Sequence, residues 1–461
     1  MPTVRPQPFR GNANQGGNKV SDPVERARKG YRNSWSRYQV DLRKQVVWEQ
    51  PFRNEASVAI IGGGLSGLCC ALELAKQGMR STVFDTGQHS CGGRLATRNT
   101  KDGSIRKSFL QDEAYSMSGL YFDHGAQYFS ASDSRFVSLV NEWLAEGVIK
   151  EWVGPVGTLM PGGSFQSSTS SKGARYVAVQ GMRSLAQHLE HQLSKQYSNL
   201  VQVRRPMWVG KMESIDNQGW RLMGEGKSLG IYDAVVIAHN GKCANRLMGP
   251  TGAPLVAQQL MGLRLSATWA LMVAFDSPLP VKFEGATVVG SNVLSWVANN
   301  TAKLDLKHAP SSISCWTMTS TNEYAQANKV PQEAVPSEVQ DKITSEMLDA
   351  FAAAIGVKRA DIPKPIFYQC QLWGAALPLN TPSVECIFDA QSRVGVAGDW
   401  CSGSNMQAAA ISGISLAGRI AALRGRGGSD VQDLSLGLTS PFTQLMPQKR
   451  HVTAHMQNHR S

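Results

Sequence analysis

The sequence predicts an α/β fold in two parts: a parallel βαβ unit beginning near residue 57, and a separate, more antiparallel sheet with its own helices. Three observations predict it. Ser57–Ile61 (SVAII) is a short apolar run rich in β-branched residues, as a strand buried on both faces requires. Leu65, Leu68, Leu72 and Ala75 recur at helical spacing up to Gly78, a C′ glycine, and residues 81–84 supply a second strand. Later, Trp269, Leu271, Val273 and Phe275 share one face of 267–275, and 312–319 alternates too, with Ile313, Cys315 and Thr317 opposite Ser314, Trp316 and Met318. These read as half-buried strands. Ser337 then opens a helix with Gln340 in capping-box position, and Val339, Ile343, Met347 and Phe351 form its apolar stripe before Gly356.

Composition narrows the class. Of 461 residues, 42% are hydrophobic and 18% charged, the balance of a globular protein. No apolar run reaches the ~18 residues of a transmembrane helix. The formal charge is +12, but residues 1–55 hold 11 Lys/Arg against 5 Asp/Glu, half of the excess. A basic arm without interleaved aromatics argues against nucleic-acid binding. Eight cysteines without a C-x-x-C pair indicate neither disulfide framework nor zinc site. His451, His455 and His459 have helical spacing, but their polar setting reads as a solvated tail, and no metal is expected. Residues 1–56 read as a disordered basic leader, 426–461 as a disordered tail, and 161–173 and 322–336 as surface loops.

The chemistry starts at Gly62-x-Gly64-x-x-Gly67. Strand, tight turn, helix, second strand and a following acid, Asp85, are all present. Gly62 permits the turn, Gly64 lets backbone approach a pyrophosphate, and Gly67 lets helix and strand pack closely. Leu65 and Ser66 open the helix whose N–H groups face the phosphates, and Asp85 can accept from a ribose diol. The pattern alone does not separate FAD from NAD(P).

Two further elements favour FAD. Gly92, Gly93 and Arg94 follow Asp85 closely, and in flavoproteins similar to monoamine oxidases such a Gly-Gly-Arg lies along the pyrophosphate and ribityl chain. Residues 394–397 (VGVA) form a strand candidate followed by Gly398, Asp399 and a helix from about Asn405 and Met406. Asp399 suits the ribityl or pyrophosphate region, and the helix N-terminus suits flavin N1 and O2.

GGGLSG, STVFDTG, GGRLATR, FDHGAQYFSA, GMRSLA, IAHNGKCANR, LWGAALPLNTP and GDW…AAISG resemble the plant FAD/NAD(P)-binding oxidoreductases of the renalase-like group, in the flavin amine oxidase superfamily. The resemblance spans about Ser57 to Ala422. It implies a Rossmann-like FAD domain built from discontinuous segments (57–100, 174–245, 385–425) and an inserted α+β substrate domain (101–173, 246–384). It implies non-covalent FAD, with Gly125, Ala126, Gln127 and Tyr128 of the D-x-GAQ segment near the isoalloxazine and Val203 at the adenine. Residues 233–238 become a buried strand of that domain.

Renalases oxidise misreduced dihydronicotinamide dinucleotides, pass hydride to flavin N5 and electrons to oxygen, and need placement more than an acid or base. Trp373, Tyr128 and Gln127 become the substrate-pocket candidates, while His124 and His239 read as structural. Where renalases carry an Arg-Trp-Arg-Tyr-like segment, this chain has Gln371-Leu372-Trp373-Gly374, so the pocket is less suited to a dinucleotide's phosphates. The alternatives are an amine oxidase, with Trp373 and either Trp400 or Tyr128 framing the amine, and a non-catalytic flavin-binding sensor or assembly partner docking through the arm with Trp35 and Trp48. The resemblance to plant proteins implies a chloroplast location, against a cytoplasmic one.

Overall fold

The computed structural model describes Val24 and residues 45–100, 104–105, 119–168, 173–305, 313–332 and 334–445. Expectations on residues 1–44, on the tail beyond 445 with its three histidines, on Ser312 and on 169–172 lie outside the described residues.

Six strands form the first sheet, in the order Ile387–Asp389, Val394–Val396, Ala234–Ile237, Ser57–Ile61, Arg80–Phe84, Val201–Arg204. All neighbours are parallel except the first pair. Order reverses beside Ser57–Ile61, so a crevice opens at that strand's carboxyl end, where ligands of open α/β sheets bind. The helix Leu65–Lys76 leaves this end and packs against the helix Met406–Ala421. A three-stranded antiparallel sheet (Lys211–Ile215, Gly219–Gly224, Lys227–Tyr232) covers the other face through Trp220, Leu222 and Tyr232.

The second sheet has seven strands, in the order Phe367–Trp373, Thr268–Phe275, Ser314–Ser320, Leu294–Asn299, Gly285–Val288, Val156–Leu159, Phe165–Ser167. Helix Ser337–Ile355 packs on it through Val339, Ile343, Met347 and Phe351, all fully buried. Its N-cap is Pro336 rather than Ser337, and the Gln340 side chain accepts from the Cys370 backbone N–H instead of completing a capping box.

Five expectations are corrected. Thr268–Phe275 is buried on both faces, because Met272 and Ala274 meet Leu120, Phe122 and Phe367 on the side expected to face water. Phe165–Ser167 is a hairpin strand inside the region read as a loop, and Asn322–Ala327 is a short helix capped by Thr321. Residues 45–56 are not a free leader. Trp48 and Phe52 are buried, Trp48 N–H donates to the Gln391 carbonyl, and the Trp48 indole donates to the Ser392 carbonyl at 3.0 Å. Residues 426–445 are no free tail either: Gly428 N–H reaches the Trp48 carbonyl, Phe388 and Leu436 exchange backbone hydrogen bonds, and Thr443–Gln444 pairs with Asn380–Thr381. Both ends are held by buried aromatics and by backbone groups that must find partners when removed from water.

Trp48 lies edge-on to Trp220 at 5.8 Å, with the Arg393 guanidinium 5.9 Å from its ring. Trp48→Ala should therefore lower unfolding free energy by about 3–5 kcal/mol, while Val47→Ala, on an exposed neighbour, should change it by less than about 0.5 kcal/mol, both read from urea denaturation midpoints.

Candidate functional site

The glycine turn follows Ser57–Ile61 directly. Gly62 has φ +116°, and a Cβ on it would lie 2.7 Å from the Ala238 carbonyl oxygen; one on Gly67 would lie 2.0 Å from the Gly62 oxygen. Both are glycines for the chain's own packing. Gly64 is different: its φ is −72°, which any residue adopts, and a Cβ there would meet nothing within 4 Å. Internal sterics place no demand on Gly64, and the space in front of it is open. It is the N-cap of Leu65–Lys76, whose first turn carries no acidic residue to neutralise its positive end.

The other motifs converge on this turn. Asp85 braces it, one carboxylate oxygen accepting from Gly63 N–H and the other from Gly87 N–H, each at 2.7 Å. Val203 lies on the neighbouring edge strand, where the Arg204 carbonyl accepts from Asp85 N–H. Gly64 and Gly92 form a parallel bridge, and Gly92 N–H donates to the Gly63 carbonyl. Burial raises the Cys91 thiol pKa, and the charge of Asp85 raises it further, so Cys91 packs in this loop as a neutral group. His124 N–H donates to Ala96 and Ala126 N–H to Arg94, which lays Gly125, Ala126 and Gln127 beside the Gly-Gly-Arg loop.

Arg94 and Asp399, 305 residues apart, form a bidentate pair at 2.9 and 2.5 Å, and the same guanidinium donates to the Ala376 carbonyl at 2.8 Å. Gly398 is held from behind, its N–H donating to Ser412 Oγ. Asn405 is exposed and caps the next helix by accepting from Ala408 N–H, while Met406 is buried in the hydrophobic core.

Trp373 ends the strand Phe367–Trp373 and stacks on His124 with centroids 5.4 Å apart and planes at 21°, its indole donating to the His124 carbonyl at 2.8 Å. Burial, and then the nearby Arg98 charge, push the His124 pKa down to about 3. Arg98 donates to Gln371 at 2.8 Å, so a cation reaches the Trp373 wall from the neighbouring strand Thr97–Asn99 although that wall's own strand carries none. His239 is also pushed down by burial, with its Nδ1 3.0 Å from the Ile61 carbonyl oxygen. Tyr128 is partly exposed and packs against Trp152 and Trp296. Trp400 is fully buried, stacked on Phe442, and so forms no pocket wall.

Sequence reasoning missed the polar knot behind the D-x-GAQ segment. Asp123 and Lys303 form an ion pair at 2.7 Å with both side chains 0% exposed. Asp123 also accepts from Thr97 Oγ1 at 2.6 Å and from Met182 N–H at 2.8 Å. Lys303 also donates to the Gln127 carbonyl. The Gln127 amide donates to the Asp123 and Gly125 carbonyls, leaving its buried Oε1 without a partner among the described residues. Asp123 stood in a quoted motif; Lys303, a lone lysine in NTAKL, gave no signal.

Residues 60–143 match the family described as NAD(P)-binding Rossmann-like domain. Solved structures of similar fold include cyclohexylamine oxidase from Brevibacterium oxydans (TM-score 0.54, 13% identity, 80% of this chain and 99% of that one). A triple mutant of putrescine oxidase redesigned in cofactor binding is similar at TM-score 0.53 and 13% identity, again covering 80% and 99%. Wild-type putrescine oxidase bound to putrescine follows at 0.51 and 12%, covering 80% and 98%. At these identities the likeness is one of fold: a mixed α/β chain with a Rossmann-like domain.

Two outcomes follow from the site's electrostatics. Lys303→Met leaves the Asp123 carboxylate buried without its cation and should cost about 3–5 kcal/mol of stability in chemical denaturation. His124 remains neutral in the folded protein down to about pH 3, whereas an ordinary histidine takes its proton near 6.5. Between those values the unfolded chain holds the extra proton, so stability should fall as pH drops through this window. In His124→Phe the pH dependence of the urea midpoint should be shallower by one proton.

Proposed function

We propose that the protein is an FAD-dependent oxidoreductase that removes a hydride from a small substrate at the Trp373–His124 wall. The observation that carries this reading is Gly64, a glycine that neither φ nor packing requires, facing open space ringed by Asp85, Gly92, Gly93, Arg94 and Asp399. Gln127 Oε1, a buried acceptor without a partner among the described residues, is a second feature that supports the reading. The solved structures of similar fold are named as amine oxidases, which supports the same class.

Non-covalent FAD would be held by the glycine turn at its pyrophosphate, by Asp85 at the adenosine ribose, near Val203 at the adenine, and by the Arg94–Asp399 pair along the ribityl region. When bound it would supply a ring that accepts hydride and delivers electrons to oxygen. The chain's own contribution is placement. Asp85 fixes the turn, Asp123 and Lys303 fix the Gly125–Ala126–Gln127 segment, and Trp373 with neutral His124 offers a flat wall for a planar or cyclic substrate. A dihydronicotinamide-like ring suits such a wall. The amine-oxidase reading is favoured instead by the neighbours' names, with Trp373 as one framing aromatic and Tyr128 as the second.

Purified protein should be yellow and release FAD on denaturation; a colourless preparation that cannot be reconstituted would overturn the reading. Anaerobic mixing with dihydronicotinamide isomers and with amines should bleach the flavin with one class only. Gly64→Val should keep the melting temperature within a few degrees, because its side chain enters open space, yet lose flavin. Full FAD occupancy in that variant would refute the placement of the cradle.

A further inference from the structure

Beyond the flavin site, the structure carries an apolar lip next to Trp373. Met261 and Leu377 are each 52% exposed and Leu379 is 37% exposed. They sit on adjoining segments. Leu265 bridges Pro378, Ser266 N–H donates to the Leu377 carbonyl, and Leu379 N–H donates to the Arg264 carbonyl. Scattered exposed leucines need no explanation, but three on two paired segments at the rim of a site form a surface that water disfavours.

The charge around the lip is mainly of one sign. Residues 234–275 contain Arg246 and Arg264 and no Asp or Glu; residues 362–384 and 434–445 likewise contain no acid. These are the segments that build the lip: Gly241 lies against Leu265 and Ala375, and Leu445 N–H donates to the Leu379 carbonyl. Arg264 and Arg246 are exposed, and Lys329 donates to the Gly374 carbonyl. The adjoining helix Asn322–Ala327 contributes one acid, Glu323. Exposed apolar side chains flanked by cations, with a single adjoining acid, complement an anionic bilayer surface, where apolar groups enter the acyl boundary and arginines meet headgroups.

We propose that Met261, Leu377 and Leu379, with Arg264 and Arg246, dock this protein peripherally on anionic membranes with the Trp373 end of the site facing the bilayer. No helix among the described residues is long and apolar enough to cross a membrane. The docking stands apart from the flavin reading, since vesicle binding is measured without turnover.

The test uses the full chain and flotation with vesicles of phosphatidylcholine alone or mixed with phosphatidylglycerol. The wild-type protein should float with the mixed vesicles. The double variant L377N/L379N and the single variant Arg264→Glu should each bind about tenfold more weakly, with unchanged melting temperatures because these side chains are exposed. Val153→Asn, at an exposed apolar residue away from the lip, should bind as wild type does. Equal binding by wild type and L377N/L379N would assign membrane attachment to the basic N-terminal arm and overturn the proposal. Absence of wild-type binding would overturn it too, as would a dimer in sedimentation that L377N/L379N dissolves, since the lip would then cover a second copy.

Discussion

One buried carboxylate ties the two halves of this molecule together. Asp123 takes hydrogen bonds from Thr97 and from the backbone opening the helix Arg183–Gln196, and it takes the ammonium of Lys303 from the second sheet's side. A carboxylate removed from water survives only with such a complement, and each partner comes from a different stretch of chain. Satisfying Asp123 therefore fixes where those stretches lie relative to one another. The Gly125–Ala126–Gln127 segment follows immediately and inherits that position, and through the Arg94 and Ala96 carbonyls it is stitched to the Gly-Gly-Arg loop.

The same logic of distant partners holds the front of the site. Arg94 comes from just after the second parallel strand and Asp399 from just after the last, yet they meet in a bidentate pair, an orientation that fixes both planes. Asp85 does with backbone donors what Asp399 does with a guanidinium. Each of these carboxylates is thus committed through both oxygens to protein donors.

Legibility in the sequence follows how local the cause is. The glycine turn, its helix and the strand before it were readable because strand, turn and cap signals act over a few residues. The stripe Val339, Ile343, Met347, Phe351 was readable because a 3.6-residue period needs no partner to be recognised. Segments whose order depends on remote contacts were not. Residues 45–56 follow a basic stretch and look like its polar continuation, but Trp48 and Phe52 become core only because Ser392, Arg393 and the chain near Gly425 wait for them. Thr268–Phe275 alternates in hydrophobicity because Met272 and Ala274 look weaker than Trp269 and Phe275, yet both faces are covered. Lys303 was invisible because nothing about a lysine announces that its ammonium will meet Asp123. Gln371 illustrates the reverse case: its strand carries no cation, yet Arg98 from another strand reaches it, and no linear motif records that contact.

Under the proposed reading, charge at the wall bears on which of the two substrate classes would fit. Arg98 helps keep the His124 ring neutral, and the same cation acts on anything bound against Trp373. A protonated amine placed there would meet that repulsion and the cost of leaving water, which on that reading would favour a substrate neutral at the nitrogen whose neighbouring carbon loses hydride. A dihydronicotinamide ring is neutral at that nitrogen without giving up a proton. An amine must first lose one, and the carboxylates that could take it are already bound to Arg94, Lys303 and backbone N–H groups. Among the described groups these carboxylates are therefore better placed for holding and orienting than for moving protons, and the protonation state of the incoming substrate becomes the quantity on which the two proposed classes differ.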